Sequence, residues 1–193
     1  MPIGGVLIGL HAGDHMKIDA LPRSEHPDVL LRPLARSDLD AWYAYLKRPE
    51  VFQHTSWNLL SRDDLLPLFD EFDSASADSA RRLAIVENRS QELIGTIGFH
   101  TVCSVHRTAE IAYDLSPHYW GRGIASSLCA TVTTWSFSTY GFFRVQATVL
   151  QANTRSAKVL QRCHFRYEGL LRSFRMVRGT PGDFALYSRL ATD

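Results

Sequence analysis

Cysteine is scarce, with three in 193 residues: Cys103, Cys129 and Cys163, and no CxxC pair among them. An odd number at such wide spacing fits neither a disulfide framework nor a zinc-ligand set, and suits small buried thiols. Long apolar runs are missing too. The apolar N-terminal stretch, Met1 to Leu10, is too short to cross a bilayer and has no Lys or Arg ahead of it, as a signal peptide would. An excess of one charge is also lacking: 21 Lys and Arg against 20 Asp and Glu leave a formal +1. That balance excludes a chain whose main business is gripping a nucleic-acid backbone, which needs a basic surplus. Internal repeats, low-complexity tracts and a domain linker are equally absent.

What is present is an ordinary globular composition, 45% apolar and 21% charged, which rules out wholesale disorder. A chain of 193 residues makes one domain, and at that size roughly 70% of the unfolded surface is buried without help from metal or disulfide. Residues 1–27 read as a loosely ordered extension, because Gly4, Gly5 and Gly9 weaken any helix there. Met16, followed by Lys17, is as good a start for the folded unit as Met1. The domain proper is expected over 28–193, in a reducing cytoplasm, as a monomer or homodimer with no membrane or direct nucleic-acid partner.

Val29 to Leu34 reads as an opening strand. Ser37 is placed to cap a helix with Asp38 and Asp40 in its first turn, an apolar face of Leu39, Trp42, Tyr43 and Leu46, and Pro49 as its stop. A second helix is expected from Ser61, with Leu65, Leu68, Phe69 and Phe72 as its stripe and Pro67 distorting its middle. The period then becomes that of strands. Leu83–Val86, Leu93–Val102 and Ala109–Leu115 form an antiparallel meander, the first two joined by a turn at 88–91. A helix of about 17 residues follows, with Ile124, Leu128, Val132 and Trp135 on one face. A strand Phe143–Val149, a helix Thr154–Arg162, and two strands Phe165–Leu171 and Phe184–Leu190 around a turn at 179–182 complete the chain. The class is α/β, of the mixed α+β kind.

The chemistry points to Trp120-Gly121-Arg122-Gly123-Ile124-Ala125, between a strand and a helix. Two glycines in three residues let the backbone turn sharply and come close to a ligand. The free amides opening the next helix then make a phosphate site. Each such contact contributes only about 0.3–1 kcal/mol, so several must converge. Arg122, Arg155 and Lys158 can add charge. The strands before and after this helix are expected to be parallel neighbours. A dinucleotide fold is the competing reading, but Ser126 occupies its third-glycine position and Phe143–Val149 contains no acid to hold a ribose. On these residues alone, a tight turn with no ligand remains open.

The segment from Glu110 through Tyr113, Leu115 and Trp120 to Ala125 resembles the acetyl-CoA-binding motif of the GNAT superfamily of N-acetyltransferases, most closely its RimJ/RimL-type branch. The resemblance continues in Asn153-Thr154-Arg155-Ser156 and in Phe165-Arg166-Tyr167-Glu168-Gly169, and covers nearly everything after residue 28. It implies one domain around a mostly antiparallel sheet of six to seven strands, with a splayed parallel pair at the acetyl-CoA site. It also implies direct acetyl transfer from acetyl-CoA to a primary amine, without metal. The leading acceptor is a protein or peptide N-terminal amine; a small amine, amino acid or aminoglycoside is the enzymatic alternative, and a non-catalytic acyl-CoA-binding module the alternative of another class.

Residue by residue, the resemblance assigns cofactor contacts to Tyr113, Leu115, Gly121, Arg122, Gly123, Ile124, Ala125, Ser126, Asn153 and Ser156. Two departures bear on catalysis. Leu160 stands where many members place a proton-donating Tyr, so Ser156 becomes the candidate acid, and Arg175 stands where some place a carboxylate. An α-amine titrates near ~8 and a lysine near ~10.4, so a proton must be lost before attack. Glu110 is the candidate base, with His100 and His106 as possible relays; a solvent-facing carboxylate is the plainer alternative for Glu110, and a helix N-cap for Asn153. The oxyanion donor is expected near Leu115 and the pantetheine amides along Tyr113–Leu115. His54 and Trp57 are the candidate acceptor wall, with core packing the alternative for Trp57.

Overall fold

The computed structural model describes residues 21–57 and 59–193. Most of the expected extension, with both alternative starts, lies outside the described residues. Seven strands form one sheet in the order β1-β2-β3-β4-β5-β7-β6: β1 Val29–Pro33, β2 Arg81–Glu87, β3 Leu93–Cys103, β4 Thr108–Leu115, β5 Arg144–Leu150, β6 Arg166–Val177 and β7 Thr180–Leu190. Every pairing is antiparallel except β4 with β5. The helices are α1 Leu39–Leu46, α2 Pro49–Phe52, α3 Leu66–Phe72, α4 Ile124–Tyr140 and α5 Thr154–Arg162.

Most expected elements stand where the periodicity put them, and the differences have local causes. Ser37 does not cap α1. Asp38 stands at its N-cap position without a side-chain cap bond; its carboxylate instead accepts from the Ala35 amide at 2.9 Å and pairs with Arg32 at 2.7 Å, closing the 3-10 turn Arg36–Asp38. Tyr45, not Tyr43, joins Trp42 and Leu46 in the core. Pro49 opens the short α2 at a first-turn position, where its missing N–H costs nothing. Pro67 likewise sits in the first turn of α3, after a separate 3-10 turn at Arg62–Leu65. The last two strands run on to a two-residue turn, Arg178 (φ 51°) and Gly179 (φ 82°), both left-handed as a tight hairpin requires.

Two apolar clusters result. One joins the sheet to α4 and α5 through Ile111, Leu115, Leu128, Val132 and Val145. The other gathers α1 to α3 around Trp42, which lies edge-on to Trp57 and Phe69 at 5.8 Å each. The strand period sorts β4 between them: Ile111, Tyr113 and Leu115 pack with the first cluster, while Asp114 reaches α1. There the Asp114 carboxylate takes bonds from the Tyr45 hydroxyl, from Thr96 at 2.7 Å and from the Arg82 guanidinium at 2.5 Å. Arg82 also donates to Thr96 at 2.8 Å and lies 6.0 Å and 5.9 Å from the Trp42 and Trp57 rings. Burial, reinforced by Asp114, keeps the Tyr45 phenol protonated.

Removing one partner of a buried ion pair leaves the other charge stranded. Arg82→Met should therefore destabilise the fold by about 3–5 kcal/mol, and the double change with Asp114→Leu by less than the single. Urea unfolding monitored by tryptophan fluorescence measures both.

Candidate active site

Beyond β4, a 3-10 turn at Pro117–Tyr119 leads into the glycine turn. Gly121 and Gly123 adopt φ of 77° and 82°, and a Cβ on either would meet nothing within 4 Å. Glycine is thus needed here for its conformation, and the space in front of the turn is open. The first backbone bond of α4 runs from Ser127 N–H to Gly123 O at 3.0 Å, and no side chain caps the helix. Among the described residues, the amides of Arg122, Gly123, Ile124, Ala125 and Ser126 have no protein acceptor. They sit at the positive end of a 17-residue helix, a site that suits a multiply charged anion.

Trp120 holds this turn in place. Its indole N–H donates to Leu115 O at 2.7 Å, and its ring packs against both apolar clusters. The Arg155 guanidinium, from α5, lies 4.7 Å from that ring and Arg122 lies 5.0 Å from Tyr119, so two cations flank the turn. Lys158 is exposed on α5 one turn beyond Arg155.

The parallel pairing of β4 with β5 lasts only three steps, ending at Glu110 opposite Gln146. From Ile111 to Leu115 the strand keeps its β3 partner but has none on the β5 side. An exposed edge of this kind accepts an extended ligand as it would another strand. Across the gap, Asn153 caps α5 by accepting from the Ser156 amide at 3.1 Å, the plainer of its two expected roles. The Ser156 hydroxyl is 2.9 Å from the Tyr113 hydroxyl, which burial keeps protonated. Tyr113 and Ser156 therefore form one hydroxyl pair facing the gap.

Glu110 is not solvent-facing. It is 5% exposed, and Oε1 accepts from the Thr148 hydroxyl, from Arg175 at 3.1 Å and from His100 at 3.1 Å. Oε2 has only Gln146, at 3.5 Å. Burial, only partly offset by Glu110, lowers His100 from 6.5 to about 4. It is therefore neutral at pH 7; with its proton on Nε2 it donates to Glu110 and accepts from Thr101 at Nδ1, 3.2 Å away. His106 is exposed in the β3–β4 turn, and no bond joins it to Glu110 among the described residues.

A cavity of about 360 Å³ connects these groups, lined by Trp57, His54, His100, Thr148, Ser156 and Arg175 among others. Trp57 lies edge-on to Trp42 on one side and lines the cavity on the other. Burial, with a contribution from Arg155, lowers the His54 imidazole. Glu168 lies elsewhere: Arg144, at 2.8 and 2.5 Å, and Ser188 draw its carboxylate down to about 2, tying β6 to its neighbours.

Sequence reasoning did not find Thr148, or the part played by Arg175 and Arg178. Thr148 was open to discovery: it follows Gln146 by one full strand period, so it shares the face on which Glu110 meets β5. Arg178 had no local signal. From the β6–β7 turn it donates to the carbonyls of Phe52 (3.0 Å), Thr55 (3.1 Å) and Gln53 (3.2 Å), clamping the loop that carries His54 and Trp57. Among the described residues, no group of three or more metal-ligating side chains forms, and no helix is long and apolar enough to cross a membrane.

The domain model described as "Acetyltransferase (GNAT) domain" matches residues 28–166. The uncharacterised N-acetyltransferase YoaA of Bacillus subtilis is 32% identical over 169 residues, covering 86% of this chain and 96% of that one. Among solved structures, spermidine N-acetyltransferase from Vibrio cholerae, in complex with CoA and spermine, has a TM-score of 0.76 at 22% identity, covering 86% of this chain and 98% of that one. Ribosomal-protein-S5-alanine acetyltransferase from Vibrio fischeri has a TM-score of 0.75 at 21% identity, covering 88% and 96%.

His100 titrates near 6.5 when unfolded and near 4 when folded, so the unfolded chain binds the extra proton between those values. Its stabilising effect is complete above pH 6.5 and lost as pH falls toward 4. Thermal melts across that window should show a shallower pH slope for His100→Gln than for the unaltered chain.

Proposed function

The chain belongs to the GNAT family of N-acetyltransferases, and from that premise we propose that it transfers the acetyl group of acetyl-CoA to the α-amine of a peptide or protein N-terminus. The observation that carries this reading is the early end of β4–β5 pairing at Glu110 and Gln146, with the unbonded amides of Arg122–Ser126 at one end of the gap and the Glu110 cluster at the other. Those amides, with Gly121, Arg122 and Arg155, would hold the pyrophosphate. The edge from Tyr113 to Leu115 would take the pantetheine amides, and Asn153 and Ser156 would flank the thiol end.

Bound acetyl-CoA supplies the thioester carbonyl. This chain's residues orient the amine, take its proton and return one to sulfur. The amine enters beside His100, Thr148 and Arg175 and loses its proton to the carboxylate of Glu110, directly or through His100 or water. As the C–N bond forms and the C–S bond breaks, Ser156 donates its proton to the thiolate; Glu110 then releases the amine's proton to water and Ser156 takes one back from water, so that amine and thioester become amide and thiol. A backbone donor near Leu115 meets the developing oxyanion.

The acceptor is argued from charge. The two similar structures are spermidine and ribosomal-protein acetyltransferases, but in this cavity the inner carboxylates Glu110 and Asp114 are each matched by an arginine, leaving Glu71 at the rim. A polycation gains little there. One uncharged amine beside aromatic walls fits better.

Thiol release from acetyl-CoA over a panel of peptides, amino acids, spermidine and aminoglycosides tests the reading. N-terminal peptide amines should turn over best, and Glu110→Gln should lower kcat by about 10² to 10⁴. Turnover confined to spermidine, or none with any amine, would overturn the acceptor or the catalytic reading respectively. Gly123→Glu should abolish coenzyme A binding by calorimetry while the fold survives, since the left-handed backbone costs a side chain only about 1–2 kcal/mol; unchanged affinity would refute the phosphate placement.

A further inference from the structure

Arg175 uses one donor on Glu110 and leaves the rest unassigned. Its Nη2 lies 3.1 Å from Glu110 Oε1, yet a guanidinium carries five N–H donors in a rigid fork. Among the described residues no acceptor takes a hydrogen bond from its Nε or Nη1. The group is neither buried out of reach nor loose in solvent. Its side chain is 31% exposed, lines the cavity, and lies 4.8 Å and 5.7 Å from the Phe174 and Phe184 rings, which restrict its plane.

The backbone aims it. Register slips between Leu171 and Arg175, with Ser173 at φ 50° and its amide bonded to Asp183 at 2.7 Å. This bulge adds two residues on β6 relative to β7 and brings Arg175 opposite Gly182, over the cavity. Cationic donors with free valences therefore stand directly beside the carboxylate to which the acceptor's amine is assigned.

We propose that Arg175 selects the acceptor by donating to the carbonyl oxygen next to the reacting amine, so that the site reads an α-amino carbonyl group and not an amine alone. This deepens the reading above and rests on it. The spacing suits the role: amine nitrogen and carbonyl oxygen of one residue lie about 3 Å apart by standard backbone geometry, and the Glu110–Arg175 contact spans 3.1 Å. An amine oriented toward Glu110 and His100 thus carries its carbonyl to Arg175. A polyamine offers no acceptor there and brings a cation to a cation. Its nitrogen meets the same base without the second anchor.

The test compares two acceptors that differ only in their first peptide group: trialanine amide, and the same molecule with that bond replaced by an (E)-alkene, which removes the carbonyl oxygen together with the N–H. Rates are corrected to the concentration of unprotonated amine. The unaltered enzyme should favour the amide in kcat/KM by about tenfold to a hundredfold, the range for a hydrogen bond to a charged group. Arg175→Met should bring the ratio close to one, and Arg175→Lys, which keeps a cationic donor, should retain part of it. Acetyl-CoA affinity by calorimetry should be unchanged in both variants. A merely structural Arg175, acting through Glu110, would slow both acceptors equally and leave the ratio intact; that result, or no preference in the unaltered enzyme, overturns the proposal and leaves acetyl transfer standing. If Arg175→Met does not fold, the unaltered enzyme and Arg175→Lys still decide it. Absence of thiol release with either acceptor, alongside turnover of spermidine, overturns both.

Discussion

Everything in the site follows from two strands that begin as partners and then part. β4 and β5 share three residue pairs and then diverge, which no other neighbouring pair in the sheet does so early. A buried strand edge without a partner is costly, because its backbone groups lose water and gain nothing. The edge is therefore stable only where a ligand or solvent can complete it. The parting also separates two faces of chemistry on a single strand, with Tyr113 turned to the hydroxyl of Ser156 and Glu110 and Asp114 turned to arginines.

Polar networks hold both sides of that gap. Arg82, Thr96, Tyr45 and Asp114 lock α1 to the middle of the sheet, while Trp120 ties the start of the glycine turn to the end of β4. The loop with His54 and Trp57 is held from the far end of the sheet, by Arg178. The glycine turn and the loop of His54 and Trp57 thus depend on separate anchors, and a change in one need not disturb the other. Glu110 in turn ties three strands together, since its partners come from β3, β5 and β6.

The glycine turn and the α5 cap were legible because each is local. Gly121 and Gly123 stand beside Trp120, and Asn153 stands three residues from Ser156, and turn chemistry and capping operate at that range. The surroundings of Glu110 were legible only in outline. Glu110 could be named from its place before the turn, but its burial and its bonds to residues 10, 38 and 65 positions away could not. The displaced start of α1 has the same origin at smaller scale: Arg32, on β1, holds the Asp38 carboxylate against the Ala35 amide, so that a 3-10 turn precedes the helix.

By itself, the chain's order of polar and apolar residues settled the seven strands, the long helix and the glycine turn, since periodicity and backbone sterics act between near neighbours. Tertiary packing alone decided that Glu110 lies beneath the surface, that His100 is neutral, that Arg175 stands over the cavity with donors to spare, and that β5 leaves β4 after Glu110. Burial and charge pairing depend on which distant segments arrive at one place, and only the folded sheet brings them there.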